Sequence, residues 1–148
     1  MFSGYQAGLD SPICFYWQEI RAVFPDAKVI LTKRNADNWY ESFKASLYQA
    51  MISPEHAPEE IWGALKMAKT IVLDHEFAGK FEDRAFAIDL YNRHNEFVEA
   101  SFVNDRSNLL VFNVSDGWPP LAEFSKMDVP VTEFPRTNSR AAFQSALQ

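Results

Sequence analysis

The spacing of apolar and polar positions changes period sharply once, between residues 28 and 46, KVILTKRNADNWYESFKAS. Lys28, Val29, Ile30, Leu31 and Thr32 form a β-branched and aliphatic run without strict polar alternation. Such a run predicts a strand buried on both faces, a signal of parallel sheet. It breaks at Lys33-Arg34-Asn35, and from Ala36 onward Trp39, Phe43, Leu47 and Ala50 recur at helical spacing, with Asn35 or Asp37 placed to cap the first turn. A strand passes into a helix through one short basic turn.

The rest of the chain arranges itself around this unit. Residues 5–9 read as a short strand that stops at Asp10-Ser11-Pro12, where the proline suits a helix start. A helix over 13–24 carries Ile13, Phe15, Tyr16, Trp17, Ile20, Val23 and Phe24 and ends at Pro25-Asp26. Strand, helix and strand with short joints predict a parallel βαβ unit. Beyond Ser53-Pro54, two long helical patterns over about 58–77 and 82–102 flank Ala78-Gly79-Lys80. They read as a helical hairpin inserted to cover the sheet. A second buried strand is expected over 109–114, a short helix over 121–127, an extended tail over 129–138 and a last helix over 139–148. The fold class is therefore α/β with a parallel sheet, in a single domain spanning 1–148.

Composition narrows the functional classes. With 148 residues, 47% hydrophobic and 15% aromatic, the chain has material for one core and no room for two. Net charge is −6 and no Lys/Arg-rich run occurs, so a broad nucleic-acid footprint is disfavoured and any anion site must be local. Cys14, in an aromatic run, is the single cysteine, which excludes an internal disulfide and fits a reducing compartment or a core thiol. No apolar stretch approaches a membrane span, and the first ten residues lack a basic and apolar leader. A soluble, cytoplasmic protein is the expectation. The glycines, at 4, 8, 63, 79 and 117, make no GxGxxG, and there is no GxSxG; nicotinamide dehydrogenase and serine hydrolase chemistry are disfavoured. His56, His75 and His94 are not spaced like zinc ligands, so no metal is expected.

The chemistry concentrates at the strand ends. In open α/β sheets, ligands collect beyond the carboxyl ends of strands, where helix N-termini present free N–H groups to anions. Arg34 lies where a phosphate would lie, and Ser42 follows eight residues later, one to two turns into the helix, placed to close the other side of an oxyanion held by the guanidinium fork. The alternative is an exposed arginine at a strand end and a solvated helix serine. Asp10, at the same predicted sheet edge, is placed to act as general base on a substrate hydroxyl; its alternative role is N-capping the helix near Pro12.

Taken together, Asp10-Ser11-Pro12, the block from Pro25 to Arg34, Trp39, Ser42, the block LLVFNVSDGW from Leu109 to Trp118, and FPRTN from Phe134 to Asn138 resemble a P-loop sulfotransferase. These blocks occur in the family's order and cover most of the chain. The resemblance implies a nucleotide-kinase-like fold and 3′-phosphoadenylyl sulfate as sulfuryl donor, or adenosine 3′,5′-bisphosphate as its product, with a small-molecule hydroxyl or amine acceptor. It implies that Arg34 and Ser42 hold the 3′-phosphate and that Asp10 takes the acceptor proton. Trp118 is read as a contact to the nucleotide and Arg136 as reaching a phosphate, with an aromatic turn anchor and a loop arginine as their alternatives.

The family also begins with a strand and a glycine-rich, basic phosphate-binding loop, which residues 1–8 are too short to supply. The sequence is therefore expected to be truncated at its N-terminus, with little or no sulfuryl transfer by these 148 residues alone. The competing reading is a non-catalytic binding or interaction module derived from that fold, completing its sheet as a homo-oligomer.

Overall fold

A computed structural model describes residues 4–10 and 13–135. A turn of 3-10 helix, Ile13–Phe15, leads into α1, Trp17–Val23. Strand β1, Val29–Thr32, follows, then α2, Ala36–Phe43. The helix continues through a widened π-type stretch, Lys44–Tyr48, into α3, Gln49–Ile52. A second helical span contains α4, Trp62–Ala68, and another π-type stretch, Lys69–Glu76. The longest helix, α5, Arg84–Ser101, precedes β2, Leu109–Phe112, and α6, Trp118–Ser125.

Local chemistry accounts for these boundaries. The Asn35 side chain accepts a hydrogen bond from the Asn38 N–H at 3.1 Å, and Asp83 does the same for the Phe86 N–H at 3.1 Å. Each satisfies a first-turn N–H that has no partner within its helix. The joint before α5 places Ala78 at φ 49° and Gly79 at φ 70°, a left-handed reversal that glycine adopts without steric cost. Gly117, at φ 69°, turns the chain into α6, which opens with Pro119 and Pro120 in its first turn.

β1 and β2 pair in parallel, with Val29 opposite Leu109 and Thr32 opposite Phe112. The Lys33 N–H extends the ladder to the Phe112 carbonyl at 2.9 Å. Among the described residues these two strands make up the sheet. Residues 5–9, expected as a strand, form none; Tyr5 and Leu9 are 76% and 81% exposed, so no apolar contact offsets the cost of extending them. The parallel crossover therefore runs from β1 through the helical region to β2.

The expectation of strands buried on both faces also needs correction. Leu31 packs with Val98, Phe102 and Trp17 on one face. On the other, Phe112 is buried and meets Phe134 edge-on at 6.1 Å. Ile30 and Val111, on opposite faces, remain 48% and 43% exposed. Each face is covered over one strand and open over the other.

The helical hairpin, expected as a cover for the sheet, mainly builds a core of its own. Tyr40, Tyr48, Met51, Val72, Leu73, Phe77, Phe81 and Ala87 cluster there. Phe81 is its centre, with ring centroids 4.8 Å from Tyr48, 5.1 Å from Tyr40 and 5.0 Å from Phe43. The last turns of α5, through Val98 and Phe102, cover Leu31. The predicted strand 109–114 stops at Phe112, the helix predicted at 121 starts at Trp118, and the helix expected over 139–148 lies outside the described residues.

Candidate functional site

Because β1 and β2 are parallel and in register, the turns that follow them leave the same edge of the sheet. Lys33, Arg34 and Asn35 follow β1; Asn113 to Trp118 follow β2. This edge also holds the N-terminus of α2, whose peptide dipoles favour a negative charge.

Arg34 is fixed from the backbone outward. The Tyr91 hydroxyl accepts from the Arg34 N–H at 3.1 Å and donates to its carbonyl at 3.2 Å. Tyr91 in turn stacks on Trp39 with ring centroids 4.4 Å apart. The exposed guanidinium curls over the first turns of α2, where Nη2 donates to the Trp39 carbonyl at 3.4 Å. Ser42 is half-buried and three residues beyond Trp39 on that helix, one turn from the carbonyl that Arg34 contacts. The Ser42 carbonyl accepts from the Ser46 hydroxyl at 2.6 Å, within the stretch where the helix widens. Arg34 and Ser42 thus lie on consecutive elements, with the Trp39 carbonyl between them in sequence.

Lys33 is committed differently. Its Nζ pairs with Glu99 of α5 at 2.6 Å, so of the two cations in this turn Arg34 is the one without a carboxylate partner among the described residues. Arg84 pairs with Asp37 at 2.5 Å, which engages the other capping candidate and leaves the cap to Asn35.

Asp10 is exposed and adopts a left-handed φ of 62°. Its carbonyl accepts the Cys14 N–H at 3.0 Å, so its backbone starts the turn leading to α1. Burial and then the Asp10 charge raise the Cys14 thiol above its usual value, which places that carboxylate in electrostatic reach of the thiol. Burial also holds the His94 imidazole below its usual range, opposed by the charge of Glu76.

Trp118 opens α6 at the shared edge. Its indole N–H donates to the Thr132 carbonyl at 2.8 Å, and its ring meets Phe134 at 4.8 Å, nearly perpendicular. In this conformation it anchors the tail, the alternative role weighed from sequence. Arg136 lies outside the described residues. A shallow groove of about 360 Å³, lined by Trp17, Arg21, Pro25 and Ser101 among others, opens near the amino end of β1, away from this edge.

Sequence reasoning missed the contribution of α5. Tyr91, Asn95 and Glu99 recur every four residues, so they stack along one helix face. A polar stripe in a helix otherwise read for its apolar positions was the available signal. Among the described residues, no cluster of His, Cys, Asp and Glu could hold a metal ion, and no helix is long and apolar enough to cross a membrane.

The chain is 28% identical over 145 residues to a protein of Aspergillus versicolor called "Ava biosynthesis cluster protein M"; the match covers 91% of this chain and 55% of that relative. The chain thus spans about half the length of the curated relative it matches. Residues 1–143 match the family described as "Sulfotransferase domain". With nearly its whole length so matched, the chain belongs to the sulfotransferase domain family.

Proposed function

We propose that this chain acts as a sulfotransferase-like domain whose β1–α2 turn grips the 3′-phosphate of 3′-phosphoadenylyl sulfate or of adenosine 3′,5′-bisphosphate. The observation that carries this reading is the setting of Arg34: its backbone is held on both sides by Tyr91 while its guanidinium lies exposed over the start of α2. A guanidinium carries five N–H donors, and the single contact at 3.4 Å leaves the fork able to turn toward a phosphate. Ser42 supplies a hydroxyl one turn further on, and the helix dipole adds partial positive charge. Trp118 and Arg136 are assigned to the nucleotide's flank by family resemblance.

The co-substrate, when bound, supplies an activated sulfuryl group on a good leaving phosphate. The protein's contribution is then alignment of donor and acceptor and stabilisation of charge on that leaving group, as in phosphoryl transfer. Asp10 is assigned the acceptor proton. As the acceptor oxygen or nitrogen bonds to sulfur and the sulfur–oxygen bond to phosphate breaks, the carboxylate takes the proton released. The acceptor is a small molecule bearing a hydroxyl or amine, and no metal takes part in this reading.

A second reading is favoured by one sequence feature: none of the five glycines sits in a glycine-rich turn able to cradle the 5′-phosphosulfate. The 148 residues alone then serve as a non-catalytic binding module of the same descent, and sulfuryl transfer by them is expected to be absent. A measured turnover that disappears in Asp10→Asn would reject this second reading.

The phosphate grip is tested by calorimetric titration of the chain with adenosine 3′,5′-bisphosphate and with adenosine 5′-monophosphate. The bisphosphate is expected to bind about tenfold tighter or more, corresponding to one charge-assisted contact. Equal affinities would refute a 3′-phosphate site.

A further inference from the structure

Between Tyr91 and Glu99 on the inner stripe of α5 lies Asn95, 2% exposed. Its amide nitrogen Nδ2 is buried and has no hydrogen-bond partner among the described residues. The residue one turn before it holds the Arg34 backbone at 3.1 Å and 3.2 Å. The residue one turn after it holds Lys33 at 2.6 Å. Asn95 therefore occupies the centre of a stripe whose two ends both grip the β1–α2 turn. A buried donor left unpaired is costly and rare in folded proteins, and calls for a specific explanation. A leucine or methionine would fill the same space without that cost.

We infer that Asn95 is a binding residue of the strand-end site, its Nδ2 donating a hydrogen bond to an anionic oxygen of the ligand held by Arg34. This rests on the phosphate-grip reading above. The orphaned atom is a pure donor, so the group it meets must be an oxygen acceptor. Arg34, the cation of the adjoining turn left without a carboxylate among the described residues, selects a negatively charged one. Lys33 already has Glu99, which leaves Arg34 and the amide to meet the incoming charge. A neutral amide adds a donor without adding a charge to desolvate, and stays protonated at every pH the protein meets. The burial of Asn95 strengthens such a bond, because little water competes for it.

The test is calorimetric titration with adenosine 3′,5′-bisphosphate of wild type, Asn95→Leu, Asn95→Ala and Arg34→Ala, with melting temperatures recorded for each. Expected is an unchanged or raised melting temperature in Asn95→Leu together with about tenfold weaker binding. If leucine prevents folding, Asn95→Ala carries the same binding comparison. Wild-type affinity in the Asn95 variants, with binding weakened in Arg34→Ala, overturns this inference and leaves the phosphate grip standing. Wild-type affinity accompanied by a lower melting temperature likewise overturns it, assigning the amide to an internal water. A wild-type protein that binds no bisphosphate overturns both readings.

Discussion

Arg34 is immobilised at its backbone rather than along its side chain, and that division has consequences for single residues. The Tyr91 hydroxyl makes two hydrogen bonds to one peptide turn, so Tyr91→Phe removes both while preserving the stack on Trp39. The expected loss is ~1–2 kcal/mol of stability, read as a lower denaturation midpoint with an unchanged denaturant slope, together with weaker bisphosphate binding. A midpoint equal to wild type would show that the turn holds itself. Asp10 offers a second residue-scale measurement. Cys14 is exposed as a residue, yet its surroundings desolvate the thiolate and the Asp10 charge repels it. Removing that charge in Asp10→Asn is expected to lower the thiol pKa and speed alkylation by iodoacetamide at pH 8. The raised thiol also sets a sign: the fold binds this proton more tightly than the unfolded chain does. Its contribution to stability is therefore complete below the ordinary thiol pKa and is lost as pH climbs through the folded value. Unchanged alkylation in Asp10→Asn would place the carboxylate out of reach of Cys14.

At the scale of elements, the change of period from Val29–Thr32 to Ala36–Phe43 was readable because two local signals coincide there. A short apolar run ended at polar residues, and Asn35 stood at the capping position that it occupies. Asn35→Ala should cost ~1 kcal/mol through the lost cap, measured by thermal melting; no change would indicate that tertiary contacts alone start α2. The parallel partner β2 was legible for the same reason. Residues 5–9 misled because so short a segment, with Gly8 inside it, carries no information about whether a neighbouring strand exists. The openness of Ile30 and Val111 was equally hidden, since an apolar run reports what a strand can bury and not what covers it. For the candidate site, Arg34 and Ser42 could be located by spacing from the strand end. Tyr91, Asn95 and Glu99 could not, because nothing local in α5 indicates which part of its face meets a turn about 60 residues earlier.

The molecule as a whole divides its apolar packing into two clusters joined by α5. One is the aromatic group around Phe81, and the other joins Leu31 to Val98 and Phe102. Phe81→Ala is expected to cost about 3–5 kcal/mol, as for a buried aromatic whose neighbours cannot collapse into the void, and chemical denaturation measures it. A loss below ~1 kcal/mol would contradict the assignment of Phe81 as the centre of that core. The proposed site lies where both clusters meet: Trp39 belongs to the edge of the aromatic core, while Leu31 leads directly into the basic turn. Rigid packing on both sides of Lys33-Arg34-Asn35 is what a preformed anion site requires.

The account stands on the guanidinium of Arg34, and calorimetric titration of wild type and Arg34→Ala with adenosine 3′,5′-bisphosphate tests it most directly. A hydrogen bond to a charged group contributes about 1.5–3 kcal/mol, so binding by Arg34→Ala should weaken about tenfold or more, by roughly 1.4 kcal/mol or more. Equal affinities in the two proteins would contradict it.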